Sequence, residues 1–207
     1  MKLNSITIDS SESITDLCKL GIKYPTDKSP YNEDSSLHKH AYTAIYDLLF
    51  SHIRYHNIKL AEIGILNNNS MKCWREYFPY AKLYGYEWNE EFLKKAIADN
   101  LPDTQYRKMN VKDIKSITIG VMGEIFDIII DDSTHEFSDQ INIINNVYEC
   151  LPRGGILVIE DIFINAKEEQ YEKEILSHYS SGTFITANHK LKHSPGWDND
   201  KLLVLFR

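Results

Sequence analysis

From Lys59 onward, apolar runs alternate with amphipathic stretches in a regular order. Residues 60–66 form a short apolar run that ends in a turn, and 70–77 carry helical spacing. A second strand is predicted over 82–86, a helix over 90–99, a third strand over 105–109 and a short helix over 111–116. The clearest strand is 125–130, which reads Ile-Phe-Asp-Ile-Ile-Ile. A helix over 138–151 is stopped by Pro152-Arg153-Gly154-Gly155, and a fifth strand follows over 156–159. A last helix is predicted over 167–179, with two closing strands over 184–187 and 202–206. Strands that are apolar throughout, alternating with helices, imply a parallel sheet covered on both faces. The closing pair has no long helix between its members, which predicts an antiparallel hairpin at one edge. The expected fold class is therefore α/β: a Rossmann-like sandwich around a mostly parallel sheet of seven strands, with helices at the N-terminus.

The first 58 residues have a different texture. A short helix is predicted over 13–20 with Ser11 or Ser13 as its cap. Residues 21–36 are rich in turn formers (Pro25, Pro30, Asn32, Asp34), and 38–56 read as an amphipathic helix through Tyr42, Ile45, Leu49 and Ile53. The chain thus divides into an N-terminal helical extension, 1–58, and a sheet domain, 59–207, expected to form one structural unit. With 207 residues, 43% hydrophobic and 26% charged, it has enough apolar material for one buried sheet. A net charge of −7 argues against nucleic-acid binding, which needs clustered Lys and Arg. No run is long enough to span a membrane, and the N-terminus lacks the apolar core of a signal peptide. Three widely spaced cysteines fit neither a disulfide framework nor a zinc site, so the expected setting is the cytoplasm.

In a parallel sheet of this kind, ligands bind beyond the carboxyl ends of the strands. After the first strand, Glu62-Ile63-Gly64 leads into Asn67-Asn68-Asn69-Ser70, a turn whose glycine lets the backbone approach a ligand closely. The Gly-x-Gly-x-x-Gly fingerprint is absent, which argues against a nicotinamide-dependent oxidoreductase. After the second strand stands Glu87, suited to a ribose hydroxyl, beside Trp88, suited to cover an adenine ring; after the third, Asn110 and Asp113 could meet the adenine edge. After the fourth comes Asp131-Asp132-Ser133-Thr134-His135, and after the fifth Glu160-Asp161. Carboxylates from neighbouring strand ends suit Mg²⁺ or Mn²⁺, and a histidine beside them is a candidate base. The competing reading is that these carboxylates only cap the following helices.

Three stretches together resemble the metal-dependent sugar O-methyltransferases of the macrolide-tailoring type, the mycinamicin and macrocin O-methyltransferases. They are Thr26-Asp27-Lys28 with His40-Ala41-Tyr42 and Tyr46; the Glu62-x-Gly64 turn through Ser70; and Ile130-Asp131-Asp132-Ser133-Thr134-His135 with Gly154-Gly155 through Glu160-Asp161. The resemblance implies a class I methyltransferase fold and the cofactors S-adenosyl-L-methionine (SAM) and Mg²⁺ or Mn²⁺. It implies Asp132, Glu160 and Asp161 as metal ligands, and Asp132 and His135 as catalytic groups with His135 the base. Toward the methyl donor it implies Thr26, Asp27, Lys28, Tyr42, Glu62, Gly64 and Glu87, with the N-terminal extension covering that site, and Asn68, Ser70, Trp88, Asn110, Asp113 and Asp131 join them as donor-site candidates by position. Ser133 replaces a glycine usual in the family, and 30–37 look like an insertion. The expected activity is methyl transfer to a hydroxyl of a sugar, either nucleotide-linked or a polysaccharide or natural-product precursor. The alternatives are a metal-independent N- or O-methyltransferase and a binding module without catalysis. A small sugar is the expected partner, with no nucleic acid and no membrane; the oligomeric state is left open. In the 188–201 loop, which carries His189, His193, Trp197 and Asp198, a sugar ring could stack on Trp197.

Overall fold

The computed structural model describes residues 2–33 and 38–207. Residues 34–37, in the turn-rich stretch and the expected insertion, lie outside them. Fifteen elements follow one another: β1 Asn4–Asp9, α1 Asp16–Lys23, α2 Tyr42–Phe50, β2 Lys59–Ile63, α3 Asn69–Tyr77, β3 Lys82–Glu87, α4 Glu90–Ala98, β4 Thr104–Lys108, α5 Ile114–Val121, β5 Ile128–Asp131, α6 Phe137–Val147, β6 Ile156–Ile162, α7 Glu168–Glu174, β7 Ser181–Asn188 and β8 Lys201–Phe206. Among the described residues the strands form one sheet in the order β1-β7-β8-β6-β5-β2-β3-β4. Only β8 runs against its neighbours, β6 and β7.

The α/β class and the closing hairpin match expectation, with one strand more than the seven predicted. β1 pairs in parallel with β7, Asn4 opposite Thr183 through Asp9 opposite Asn188, and forms the margin of the sheet. Almost all its side chains face solvent, so it shows no apolar run. Cap chemistry corrects other boundaries. Thr15, not Ser11 or Ser13, caps α1 by accepting from the Cys18 amide. Asp113 accepts from the Lys115 amide as the cap of α5, so that helix starts at 114 and runs to 121. α2 starts only at Tyr42, because the backbone at His40 bonds to the Asp27 carbonyl and Lys39 bridges to His193.

The strands alternate their side chains between two apolar layers. Leu60, Ile128 and Ile130 point into the layer under α1, α2 and α3, where Tyr46, Phe50, Trp74 and Phe78 pack ring against ring. Ala61, Ile63 and Ile129 point into the layer under α5 and α6 with Phe126, Ile143 and Ile144. No helix of the described residues is long and apolar enough to cross a membrane.

Candidate active site

Two turns meet at the carboxyl end of the sheet. Gly64 takes φ +89°, and its amide donates to the Tyr86 carbonyl at 2.8 Å. The Asp132 amide donates to the Ile63 carbonyl at 2.8 Å. A Cβ on Gly64 would stand 2.1 Å from the Asp132 carbonyl oxygen, so only glycine allows this approach. Around the junction opens a pocket of about 500 Å³. It brings together Thr26, Asp27, Gly64, Ser70, Glu87, Trp88 and Asn110 of the predicted donor residues. Glu87 is held in place: its two carboxylate oxygens accept from the Leu66 and Asn89 amides at 3.1 and 2.9 Å. Trp88 is mostly exposed, and Leu66, Phe92, Met109 and Val111 add apolar walls that residue chemistry alone did not single out.

Six predicted donor residues do not line this pocket. Asn68, left-handed at φ +68°, ties its amide to Asp99 and Tyr106 at 2.9 Å each. Asp113 is consumed as the α5 cap. Asp131 is buried and accepts from the Ser133 hydroxyl at 2.6 Å; burial lifts its pKa to about 7. Ser133 therefore braces the turn, and it is not among the residues at positive φ, so no glycine is required there. Glu62, Lys28 and Tyr42 form a buried layer behind the site.

That layer is organised by Lys28. Its ammonium, 3% exposed, bonds to Asp132, to Glu160 at 2.8 Å, and lies 3.4 Å from Glu62. Trp74 donates to the second oxygen of Glu62 at 2.8 Å, and the Tyr46 hydroxyl donates to Glu160. Burial alone would lower the lysine pKa, but Asp132, Glu160 and Glu62 reverse this and hold it well above its usual value. Burial raises Glu160 to about 7 against the pull of Lys28. Removing the one ammonium leaves three acidic side chains facing each other out of water. Lys28→Met is therefore expected to cost about 3–5 kcal/mol in stability by denaturant unfolding; a loss under about 1 kcal/mol would show the layer to be held by packing alone.

In front of this layer, Asp132, His135 and Asp161 each offer one ligand atom, and these atoms lie within 4.8 Å of one another. The backbone is bent to make this possible. His135 and Asp161 both sit at left-handed φ, +60° and +58°, and the β6 pairing slips between Ile159 and Ile162. Such a bulge re-aims neighbouring side chains: Asp161 turns to the front and Glu160 to the Lys28 layer. Of the three expected ligands, Asp132 and Asp161 stand in this group together with His135, while Glu160 is bonded to Lys28 and Tyr46. Burial, helped by Lys28, keeps His135 below its usual pKa despite Asp161. Two carboxylates suit a divalent cation, and the neutral imidazole beside them, with Nδ1 buried and unpartnered, can serve either as a third donor or as a base.

No protein-family model matches the chain. Two curated proteins of Streptomyces olivaceus are similar to it. One is 8-demethyl-8-(2-methoxy-alpha-L-rhamnosyl)-tetracenomycin-C 3'-O-methyltransferase, 27% identical over 133 residues, which are 60% of this chain and 33% of that protein. The other is 8-demethyl-8-alpha-L-rhamnosyl tetracenomycin-C 2'-O-methyltransferase, 26% identical over 59% of this chain and 33% of that protein. The chain thus spans about a third of the length of these relatives. Among solved structures, the MycE methyltransferase from the mycinamycin biosynthetic pathway, in complex with Mg and SAH, superposes with TM-score 0.61 at 24% identity over 72% of this chain and 38% of its own. The CurJ carbon methyltransferase superposes with TM-score 0.56 at 13% identity over 80% and 52%. The chain has the class I methyltransferase fold.

Within this class I methyltransferase fold, the N-terminal segment and the loop between β7 and β8 close together behind Asp161. The Tyr42 hydroxyl donates to Asp161 Oδ1 at 2.8 Å and also contacts the Asn199 carbonyl at 3.0 Å. His40 places Nε2 3.6 Å from Asp161 and Nδ1 3.0 Å from Asp200, and Lys192 reaches Asp200 at 3.2 Å. Asp200 and Lys192 carry no local motif, and only the meeting of two distant segments gives them this place. Burial alone would lower the His40 pKa; Asp161 and the bond to Asp200 outweigh it and lift the value to about 9. The folded state therefore holds a proton that the unfolded chain releases near pH 6.5. This stabilises the fold fully below that pH and is lost as pH rises through 9, on the order of 3 kcal/mol. Melting temperature should fall across that window, and His40→Gln should flatten the fall. Parallel curves for the two proteins would rule the effect out.

Proposed function

We propose that this chain is the donor-binding and catalytic part of a SAM-dependent, divalent-metal-dependent O-methyltransferase acting on a sugar hydroxyl, with residues 1–58 as the extension that closes the site and 59–207 as the catalytic domain, one structural unit. The observation that carries this reading is the position of Asp132, His135 and Asp161. They converge within 4.8 Å of one another, and Asp132 and His135 also line the pocket built from the turns after β2, β3 and β4. The relatives' names support the acceptor class, since both name methyl transfer to rhamnosyl tetracenomycins. A MycE structure with Mg, SAH and mycinamycin VI, again at TM-score 0.61 and 24% identity, supports the pairing of metal, donor and glycoside on this fold.

SAM supplies a methyl group on a cationic sulfur, and a divalent ion lowers the pKa of a hydroxyl near it. Glu87 is placed to accept from ribose hydroxyls, and Trp88 and Phe92 to enclose the adenine. Asp132 and Asp161 would hold the ion, their second contacts fixed by Lys28 and Tyr42, so that neither carboxylate needs to reorganise during reaction. His135 is kept neutral and has an unpartnered ring nitrogen, so it accepts the hydroxyl proton; Asp161, 3.6 Å away, steadies the imidazolium that results. We assign the enzyme to the cytoplasm, in keeping with three free cysteines, Cys18, Cys73 and Cys150.

The test is calorimetric binding of S-adenosylhomocysteine (SAH), followed by transfer of labelled methyl from SAM to rhamnosyl acceptors with Mg²⁺ and with a chelator. Binding of SAH with chelator-sensitive transfer is expected. Absence of SAH binding, or transfer indifferent to the chelator, would sink the reading.

A further inference from the structure

A second cleft, of about 230 Å³, opens between the start of α6 and the segment that follows β6, and His135 lines both it and the donor pocket. Its walls are apolar: Phe137, Ile162, Phe163 and Tyr171. The polar group at its floor, Gln140, is held in place by bonds within the protein. Its amide nitrogen donates to the Glu160 carbonyl at 3.1 Å, and its oxygen accepts from the Tyr171 hydroxyl at 2.5 Å. The free polar groups are at the mouth, where Glu136, Lys167 and Gln170 are exposed and their side chains make no polar contact with the described residues. Next to the mouth, Phe163 stacks on Trp197, with centroids 5.8 Å apart and planes 23° from parallel. Folding leaves these two rings 38% and 51% exposed, which forgoes burial worth roughly 25 cal/mol per Å². Exposed aromatic surface beside a polar rim marks a binding site.

A mostly apolar floor whose amide is already tied into the protein, an aromatic ledge and a rim of unengaged polar groups match one kind of ligand. A pyranose presents a face of C–H groups and an edge of hydroxyls, so it can lie on the rings and bond to the rim. The volume is below the ~300–1,000 Å³ usual for drug-sized ligands, which suits one sugar ring and excludes a bulky aglycone from the cleft itself. Because His135 forms the wall between cleft and donor pocket, a ring seated here turns one hydroxyl toward Asp132, His135 and Asp161. We propose that the cleft and the Phe163–Trp197 ledge form the subsite for the pyranose ring of the acceptor. This rests on the methyl-transfer reading and adds to it the residues that select the acceptor.

The three tryptophans make the two claims separable. Trp88 lines the donor pocket, Trp197 forms the ledge, and Trp74 is buried against Glu62. Their indole N–H signals are resolved in a heteronuclear spectrum of the labelled full chain with Mg²⁺, and assigned by Trp→Phe replacements. SAH should shift the Trp88 signal. Methyl α-L-rhamnopyranoside or methyl β-D-glucopyranoside, added with SAH present, should then shift Trp197 saturably and leave Trp74 in place. Phe163→Ala should weaken that glycoside response roughly three- to tenfold while the Trp88 response to SAH stays as it was. If SAH moves Trp88 but neither glycoside moves Trp197, or Phe163→Ala leaves the titration unchanged, the subsite is wrong and the methyl-transfer reading survives. If SAH fails to move Trp88, the donor reading falls and the subsite with it.

Discussion

Asp161→Asn is expected to leave the chain folded and able to bind SAH, but to weaken Mn²⁺ binding at least about tenfold and to remove metal-stimulated methyl transfer. The side chain keeps its shape, and its oxygen can still accept from Tyr42 as the carboxylate does at 2.8 Å. The backbone is not challenged either, since asparagine tolerates the left-handed φ of +58° better than other residues do. What disappears is one negative charge at the front of the cluster. The group that it faces, His135 at 3.6 Å, then loses the carboxylate that would stabilise its protonated form. Mn²⁺ binding followed by electron paramagnetic resonance, with SAH affinity by calorimetry as the control, separates these effects. Unchanged Mn²⁺ affinity would remove Asp161 from the ligand set. The same pair of measurements on His135→Gln decides its role: a base loses turnover and keeps Mn²⁺, whereas a ligand loses both.

Gly64→Ala is expected to be the most damaging small substitution in the chain. The new methyl would stand 2.1 Å from the Asp132 carbonyl oxygen and 2.6 Å from its carbon, both backbone atoms that cannot rotate away. The left-handed φ of +89° adds strain of about 1–2 kcal/mol for any L side chain. With an overpacking cost of roughly 1–3 kcal/mol, the total is about 3 kcal/mol, which lowers the melting temperature by roughly 10 °C in a chain of this size. Relief can come only by separating the turn after β2 from the turn after β5. Both walls of the donor pocket move apart, and SAH affinity should fall at least about tenfold. A melting temperature within about 2 °C of the parent, with SAH affinity retained, would show that the junction is more pliant than its hydrogen bonds imply.

Hydrophobic patterning revealed β2, β3, β5 and β6 because these strands are buried on both faces for nearly their whole length. The strands read at 82–86, 125–130 and 156–159 fall on β3, β5 and β6, although β5 begins only at Ile128, and the polar residues just after them lie around the pocket and the acidic cluster. The failures have a common physical origin. β1 has side chains in water and is held by backbone bonds to a strand near the other end of the chain, so its pattern looks like that of a loop. Glu160 and Asp161 are chemically equivalent in sequence; a bulge and a left-handed residue decide which of them faces the cluster. Lys28 and Tyr42 belong to a segment correctly placed near the site, yet they grip its acidic residues from behind and do not line the donor pocket. Asp113 shows the limit of reasoning by position after a strand, since the helix that follows claims its carboxylate.

The margin strand also sets an order of assembly. Among the described strands Asn4–Asp9 is made before every other one, whereas its partner, Ser181–Asn188, is made after all but one of them. Contacts so distant in sequence are slow to form, because a long loop must close before they contribute anything. During synthesis this segment therefore waits unpaired until all but one of the other strands of the sheet exist, and completion of the sheet is a late event.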